Sequence, residues 1–152
     1  MRVPESLAAM PRFLEQALAA ASADALALRG PAGTFSLTEQ ACHLRDLERE
    51  GYLVRVRRML AEEVPTLAGF DGDAVARERG YPAQDARQAA RDFSAARAEL
   101  VALLESVDGP RAQRTAMFGG RRITLAGLVE MIEEHDRGHR DEIAALAGME
   151  AS

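Results

Sequence analysis

Two of the chain's three histidines stand four residues apart in Glu134-His135-Asp136-Arg137-Gly138-His139, and the third is His43. On a helix that spacing turns by about 40° and rises ~6 Å, so both imidazoles leave the same face. The apolar stripe of this segment runs Leu125, Leu128, Ile132, His135, His139, Ile143, Leu146, which puts the pair in core-facing slots. Neighbouring inward imidazoles compete for few polar partners in a low dielectric. An ion shared between them removes the competition.

His43 sits beside the inward positions Gln40, Leu44 and Leu47 of a second helical segment. It lies seven residues in from Ser36, and His139 lies seven in from Leu146. If those segments are antiparallel helices, both residues fall ~10 Å from the same end, the level match a shared site requires. The alternative, three unrelated core histidines, needs a separate partner for each ring.

Three neutral imidazoles suit Zn, Ni, Cu or Fe better than Mg or Ca. Three protein ligands with a fourth position open is the layout of a catalytic site. The expected cofactor is one divalent transition metal, Zn or Ni, held by His43, His135 and His139 and able to activate water or a substrate thiolate. No general base on a known template is evident. Cys42 points about 100° away from its neighbour His43 on a helix and reads as a small core residue.

Arg97 falls on an apolar stripe, where a guanidinium needs an anion. That anion is either a substrate group near the metal or an internal carboxylate such as Asp46 or Glu142. Asp46 and Asp136 are expected to orient imidazole N–H groups, with a solvated face the other reading of Asp136. Arg55, Arg57 and Arg58 read as a solvated face offset by Glu48, Glu50, Glu62 and Glu63.

The elements that must position these residues are helices; no segment shows strict strand alternation. The first runs from about Pro4 to Leu28 and ends at Gly30-Pro31-Ala32-Gly33. The second opens at Ser36, with Glu39 in capping-box position, and continues to about Glu63. The third spans about Ala83 to Val107, and the fourth runs from Thr124, its N-cap, to Leu146, with Gly148 as the stop. Gly119-Gly120 could turn between two brief extended pieces. The connection from Pro65 to Pro82 is far longer than an antiparallel hairpin needs and can cross the bundle. An all-α four-helix bundle with up-down-down-up order follows, in one domain over 1–152.

With 152 residues, 47% hydrophobic and 28% charged, the composition is that of an ordinary globular domain. A net charge of −5 argues against nucleic acid as a partner. A single cysteine allows no internal disulfide, and no run of 18 apolar residues marks a membrane span. The chain reads as cytosolic. All 19 basic residues are arginine, which with the abundant alanine reflects codon bias.

His43-Leu44-Arg45-Asp46-Leu47-Glu48, the His135-Asp136-x-x-His139 element followed by Glu142-Ile143, Phe35-Ser36 at the start of helix two, and Gly120 to Leu125 before helix four together resemble the DinB/YfiT-like superfamily of helical-bundle metalloproteins. The resemblance spans nearly the whole chain. It implies the up-down-down-up bundle, a metal on three histidines, frequent homodimers, and thiol-dependent S-transferase or isomerase relatives beside members without a known reaction. Phe35 stands where Trp is commoner. Gln is commoner at position 142, so Glu142 sets a carboxylate near the metal. The expected function is a metal-dependent transferase or hydrolase acting on a small molecule with water or a low-molecular-weight thiol. The alternative is a non-catalytic metal-binding or stress-response bundle whose ion stabilises fold or dimer.

Overall fold

The computed structural model describes residues 1–150; the last two positions of the expected domain, Ala151 and Ser152, lie outside the described residues. Helix α1 spans Glu5–Ala19 and is shorter than expected from the sequence. The Ser22 hydroxyl accepts the Ala25 N–H and starts a separate short helix, α2, over Ala23–Ala27. A serine offers the backbone this local partner, so the expected helix to Leu28 breaks in two. Pro11 lies inside α1. With no N–H of its own, it leaves the Leu7 carbonyl without the usual helical donor.

The Ser36–Glu39 capping box forms, each side chain taking the other's backbone N–H at 3.2 Å. From it runs one continuous rod: α3 over Leu37–Asp46, a π-helical stretch over Leu47–Tyr52, and α4 over Leu53–Ala61. The crossover is not bare loop. Leu67 and Pro65 exchange backbone bonds with Met117, and α5 occupies Gly72–Arg79, capped by Asp71 and stopped by Gly80 in the left-handed region at φ 60°. Helix α6 covers Ala86–Glu105 and a single turn, α7, covers Gly109–Ala112.

Strands β1, Thr115–Phe118, and β2, Arg121–Thr124, pair antiparallel. The two-residue turn between them has positive φ at both Gly119 and Gly120, the geometry that matches strand twist and that glycine adopts without strain. Thr124 caps α8, Leu125–Ala147, by accepting the Gly127 N–H at 2.9 Å, and Gly148 ends it.

Cross-helix pairs give the directions. Arg49 meets Asp92 and Arg57 meets Glu99, so the α3–α4 rod and α6 are parallel. Ser6 bonds Glu133 and Phe13 lies under Arg140, so α1 and α8 are also parallel. Arg97 reaches the Leu7 carbonyl while Arg87 reaches that of Leu18, which sets α1 against α6. The bundle is up-down-down-up. None of the described helices is long and apolar enough to cross a membrane.

Two apolar clusters fill it. One gathers Leu7, Leu47, Val56, Leu100, Leu125 and Ile132. The other gathers Met10, Leu14, Leu44, Phe93 and Ile143. Along the α3–α4 rod, α6 and α8 the boundary between clusters falls where the polar residues lie: His43 and Glu48, Arg97, and His135 to His139.

Candidate metal centre

His43 projects from α3, and His135 and His139 project from α8. One ligand nitrogen from each lies within 4.8 Å of the others. His139 Nε2 stands 3.1 Å from His135 Nε2. The ring centre of His43 lies 4.8 Å from that of His139 and 5.7 Å from that of His135. The expected level match between helices two and four is thus present.

The tautomer of His139 follows from its partners. The Glu142 carboxylate only accepts, so the Gln40 amide must turn its NH₂ toward it, at 2.6 Å. That leaves the amide oxygen facing His139 Nδ1, also at 2.6 Å, and Nδ1 must therefore donate. The lone pair of Nε2 is directed at the triad. Burial holds all three imidazoles neutral: His43 is pushed down to about 3, helped by the other two rings, and His135 and His139 to about 4. With His139 neutral, its 3.6 Å approach to Glu142 is no ion pair.

These residues fit a transition-metal ion. In tetrahedral coordination with bonds of about 2.1 Å, ligand atoms stand roughly 3.4 Å apart, close to the 3.1 Å between His135 and His139, while the three ligand atoms together span up to 4.8 Å. Among the described residues, Nδ1 of His43 and Nδ1 of His135 are buried without any hydrogen-bond partner, although the atom of His135 that faces the triad is Nε2. Gln40 on His139 is the kind of outer partner that orients a metal-bound ring.

Two clefts open onto the triad, with His43 and Phe70 lining both. One, of about 330 Å³, is bordered by Phe35, Asp71, Asp73, His139 and Glu142. The other, of about 250 Å³, is bordered by Tyr52, Arg55, Phe118, Leu128 and His135. The crossover supplies Phe70 and Gly72. A Cβ on Gly72 would fall 2.8 Å from His43 Cε1, so only glycine lets the backbone pass this close to the ring.

Arg97 is 1% exposed, and all five of its N–H donors are used. Nε and Nη2 bond Glu48 at 2.7 and 2.9 Å, Nη1 and Nη2 bond Asp136 at 2.6 and 3.1 Å, and Nη1 also bonds the orphan Leu7 carbonyl at 3.0 Å. Burial opposes its charge, but the two carboxylates outweigh that and raise its affinity for the proton. With no donor left over, Arg97 is no substrate clamp, and its partners are Glu48 and Asp136 instead of Asp46 or Glu142.

Neither aspartate orients an imidazole. Asp136 serves Arg97, while Asp46 accepts from Tyr81 at 2.5 Å and from Arg45 and pairs with Arg79. Glu142 borders the first cleft and also accepts from Gln40, a residue expected to face inward but given no role in the sequence. Its spacing of three from His43 was the available signal. Cys42 is fully buried, and burial pushes its thiol up to about 11. Of the expected solvated arginine face, Arg57 pairs with Glu99 and Arg58 with Glu62. Arg55 and Glu48 are both buried.

No curated protein matches this sequence. The solved structure of YfiT from Bacillus subtilis, described as a probable metal-dependent hydrolase with an unusual four-helix bundle topology, superposes with a TM-score of 0.84 at 20% identity, over 96% of this chain and 86% of that one. The likeness establishes the shared bundle topology. The sequence model of the DinB superfamily matches residues 6–143, and the chain therefore belongs to the DinB superfamily.

Proposed function

We propose that this protein is a metal-dependent enzyme of hydrolase or transferase type, with one zinc or nickel ion held by His43, His135 and His139. The observation that carries the reading is a neutral imidazole triad, one ring locked by Gln40, onto which two separate clefts open. A divalent ion there supplies Lewis-acid chemistry that makes a water or a low-molecular-weight thiol nucleophilic near neutral pH. His43, His135 and His139 present lone pairs, and Gln40 with Glu142 keeps the proton of His139 on Nδ1, away from the ion. The two clefts allow substrate and nucleophile to approach from separate sides of His43. The description of YfiT as a probable metal-dependent hydrolase agrees with this reading.

A site that only stabilises the fold would be closed by a fourth ligand. Among the described residues, the His, Cys, Asp and Glu side chains that gather within ligand distance are the three histidines. Elemental analysis of untagged protein reconstituted with zinc or nickel is expected to find about one ion per chain. His139→Ala should abolish retention and, with it, any ester hydrolysis or thiol transfer found in a substrate screen. Wild-type protein that retains neither metal above background would end the proposal.

A further inference from the structure

The cleft beside His135 holds a buried cation with no anion to match. Arg55 is 7% exposed, and among the described residues no carboxylate forms an ion pair with it. Among the described residues its one hydrogen bond runs from Nε to the Ala68 carbonyl at 3.3 Å. The contrast within the molecule is sharp. The more deeply buried Arg97 has two carboxylates, and Arg45, Arg57, Arg58 and Arg79 each have at least one. Burial alone works against the charge of Arg55. A guanidinium taken from water without a counter-ion is costly unless an arriving group completes it.

The surroundings fix its orientation. The guanidinium carbon lies 4.7 Å from the ring centre of Phe118 and 5.6 Å from that of Tyr52. Aromatic faces hold the planar fork in place in advance, which lowers the entropy lost on binding. Tyr52 lines the same cleft, its hydroxyl makes no hydrogen bond among the described residues, and its ring stands edge-on to His135 at 6.0 Å. The remaining walls are Leu47, Phe70, Leu128 and Met131.

From this geometry we propose that the cleft is a subsite for a small carboxylate with an apolar body, with Arg55 as its counter-ion and Tyr52 as a second donor. The volume of about 250 Å³ limits the ligand to a short chain or a single ring. One fork and one hydroxyl match the two oxygens of a carboxylate. A phosphate dianion would leave charge and acceptors unmet against apolar walls. Resting on the metal-dependent reading above, the subsite names the substrate class: an organic acid whose free carboxylate is seated beside His135. Arg55 acts here as a specificity determinant.

Metal-free protein, titrated with acetate, butyrate, benzoate and the matching neutral amides, tests the subsite without any turnover. At least one carboxylate should bind about tenfold or more tightly than its amide. Arg55→Gln, checked for an unchanged thermal midpoint, should erase that preference. In wild-type protein the same titration, followed by ¹H–¹⁵N and ¹H–¹³C correlation spectra, should shift the Arg55 Nε–H and the Met131 methyl signals respectively. This second readout needs no variant and stands if Arg55→Gln fails to fold. Carboxylates that bind no better than amides, or that shift signals only near Glu142 and Asp73, would overturn the proposal. Because the protein is metal-free throughout, that failure is distinct from a failure to retain zinc or nickel.

Discussion

At His139 a single proton decides whether the ring can serve as a ligand, and the chain Glu142–Gln40–His139 fixes that proton on Nδ1. Gln40→Leu keeps the volume and removes the acceptor. Metal affinity, measured by competition with a chromogenic chelator, should then fall about 10- to 100-fold, with helicity unchanged. Glu142→Ala should cost less, because Gln40 can still present its oxygen. Equal affinity in Gln40→Leu would mean that the ring is oriented by something else. The gathering of the three imidazoles was legible in the sequence, since two imidazoles four apart on an apolar stripe and a third at a matching level leave little freedom. Gln40 was not. An amide on an inward stripe has no sequence mark that separates a hydrogen-bonded core residue from an orienting one until its partners are known. Asp46 and Asp136 misled for the converse reason: carboxylates next to or near ligands in sequence leave a helix in different directions from the ligands.

The second rod shows what a sequence pattern on one helical period cannot see. His43, Leu47, Tyr52 and Arg55 all border the same cleft, yet Leu47 and Tyr52 are five residues apart. On a straight α-helix five residues turn by about 140° beyond a full turn, which places them on different faces. The π-helical stretch Leu47–Tyr52 absorbs the extra residue and brings Tyr52 and Arg55 round to the cleft, a use of π geometry common at functional sites. Read as continuous α-helix, Arg55 joined Arg57 and Arg58 on a solvated face. The same stretch carries Glu48 to Arg97, where α1 contributes Leu7, α6 contributes Arg97 and α8 contributes Asp136. All four long elements therefore meet at one guanidinium, which ties their axial register. Since Glu48 follows His43 by five residues and Asp136 adjoins His135, the register of this cluster is also that of the triad. Arg97→Met should leave two carboxylates buried and unpaired and cost about 3–5 kcal/mol in urea unfolding. Replacing Glu48 and Asp136 with apolar residues as well should recover most of that loss. A single-variant cost below about 1 kcal/mol would show the cluster to be open to water.

Across the whole molecule, the polar layer of triad and Arg97 cluster separates two apolar cores that each draw on several helices. Those cores contain none of the three histidines, and the helices around them carry their own caps: the Ser36–Glu39 box, Thr124 on α8, and Asp85, which accepts backbone N–H groups at the start of α6. The chelated chain should therefore melt cooperatively, below the metal-loaded form by the linkage term alone, roughly 3–4 kcal/mol at about 100–1,000 times Kd. The imidazoles add a pH dependence whose sign is fixed. Their folded values of about 3 to 4 lie below the ordinary 6.5, so in that interval the unfolded chain binds more protons than the folded one. Above 6.5 both states are neutral at these positions and contribute no slope. As pH falls from 6.5 toward 4, the metal-free protein should lose stability, and protons should displace the ion over the same range because ligands must be unprotonated. Circular-dichroism melts of chelated protein at pH 7.5 and pH 5 should show the lower midpoint at pH 5. His139→Ala, with one titrating ring fewer, should show a smaller difference. A flat profile between the two pH values would mean that the rings take up protons freely in the folded state, and a chelated chain without a cooperative transition would make the ion part of the fold instead of a guest in it.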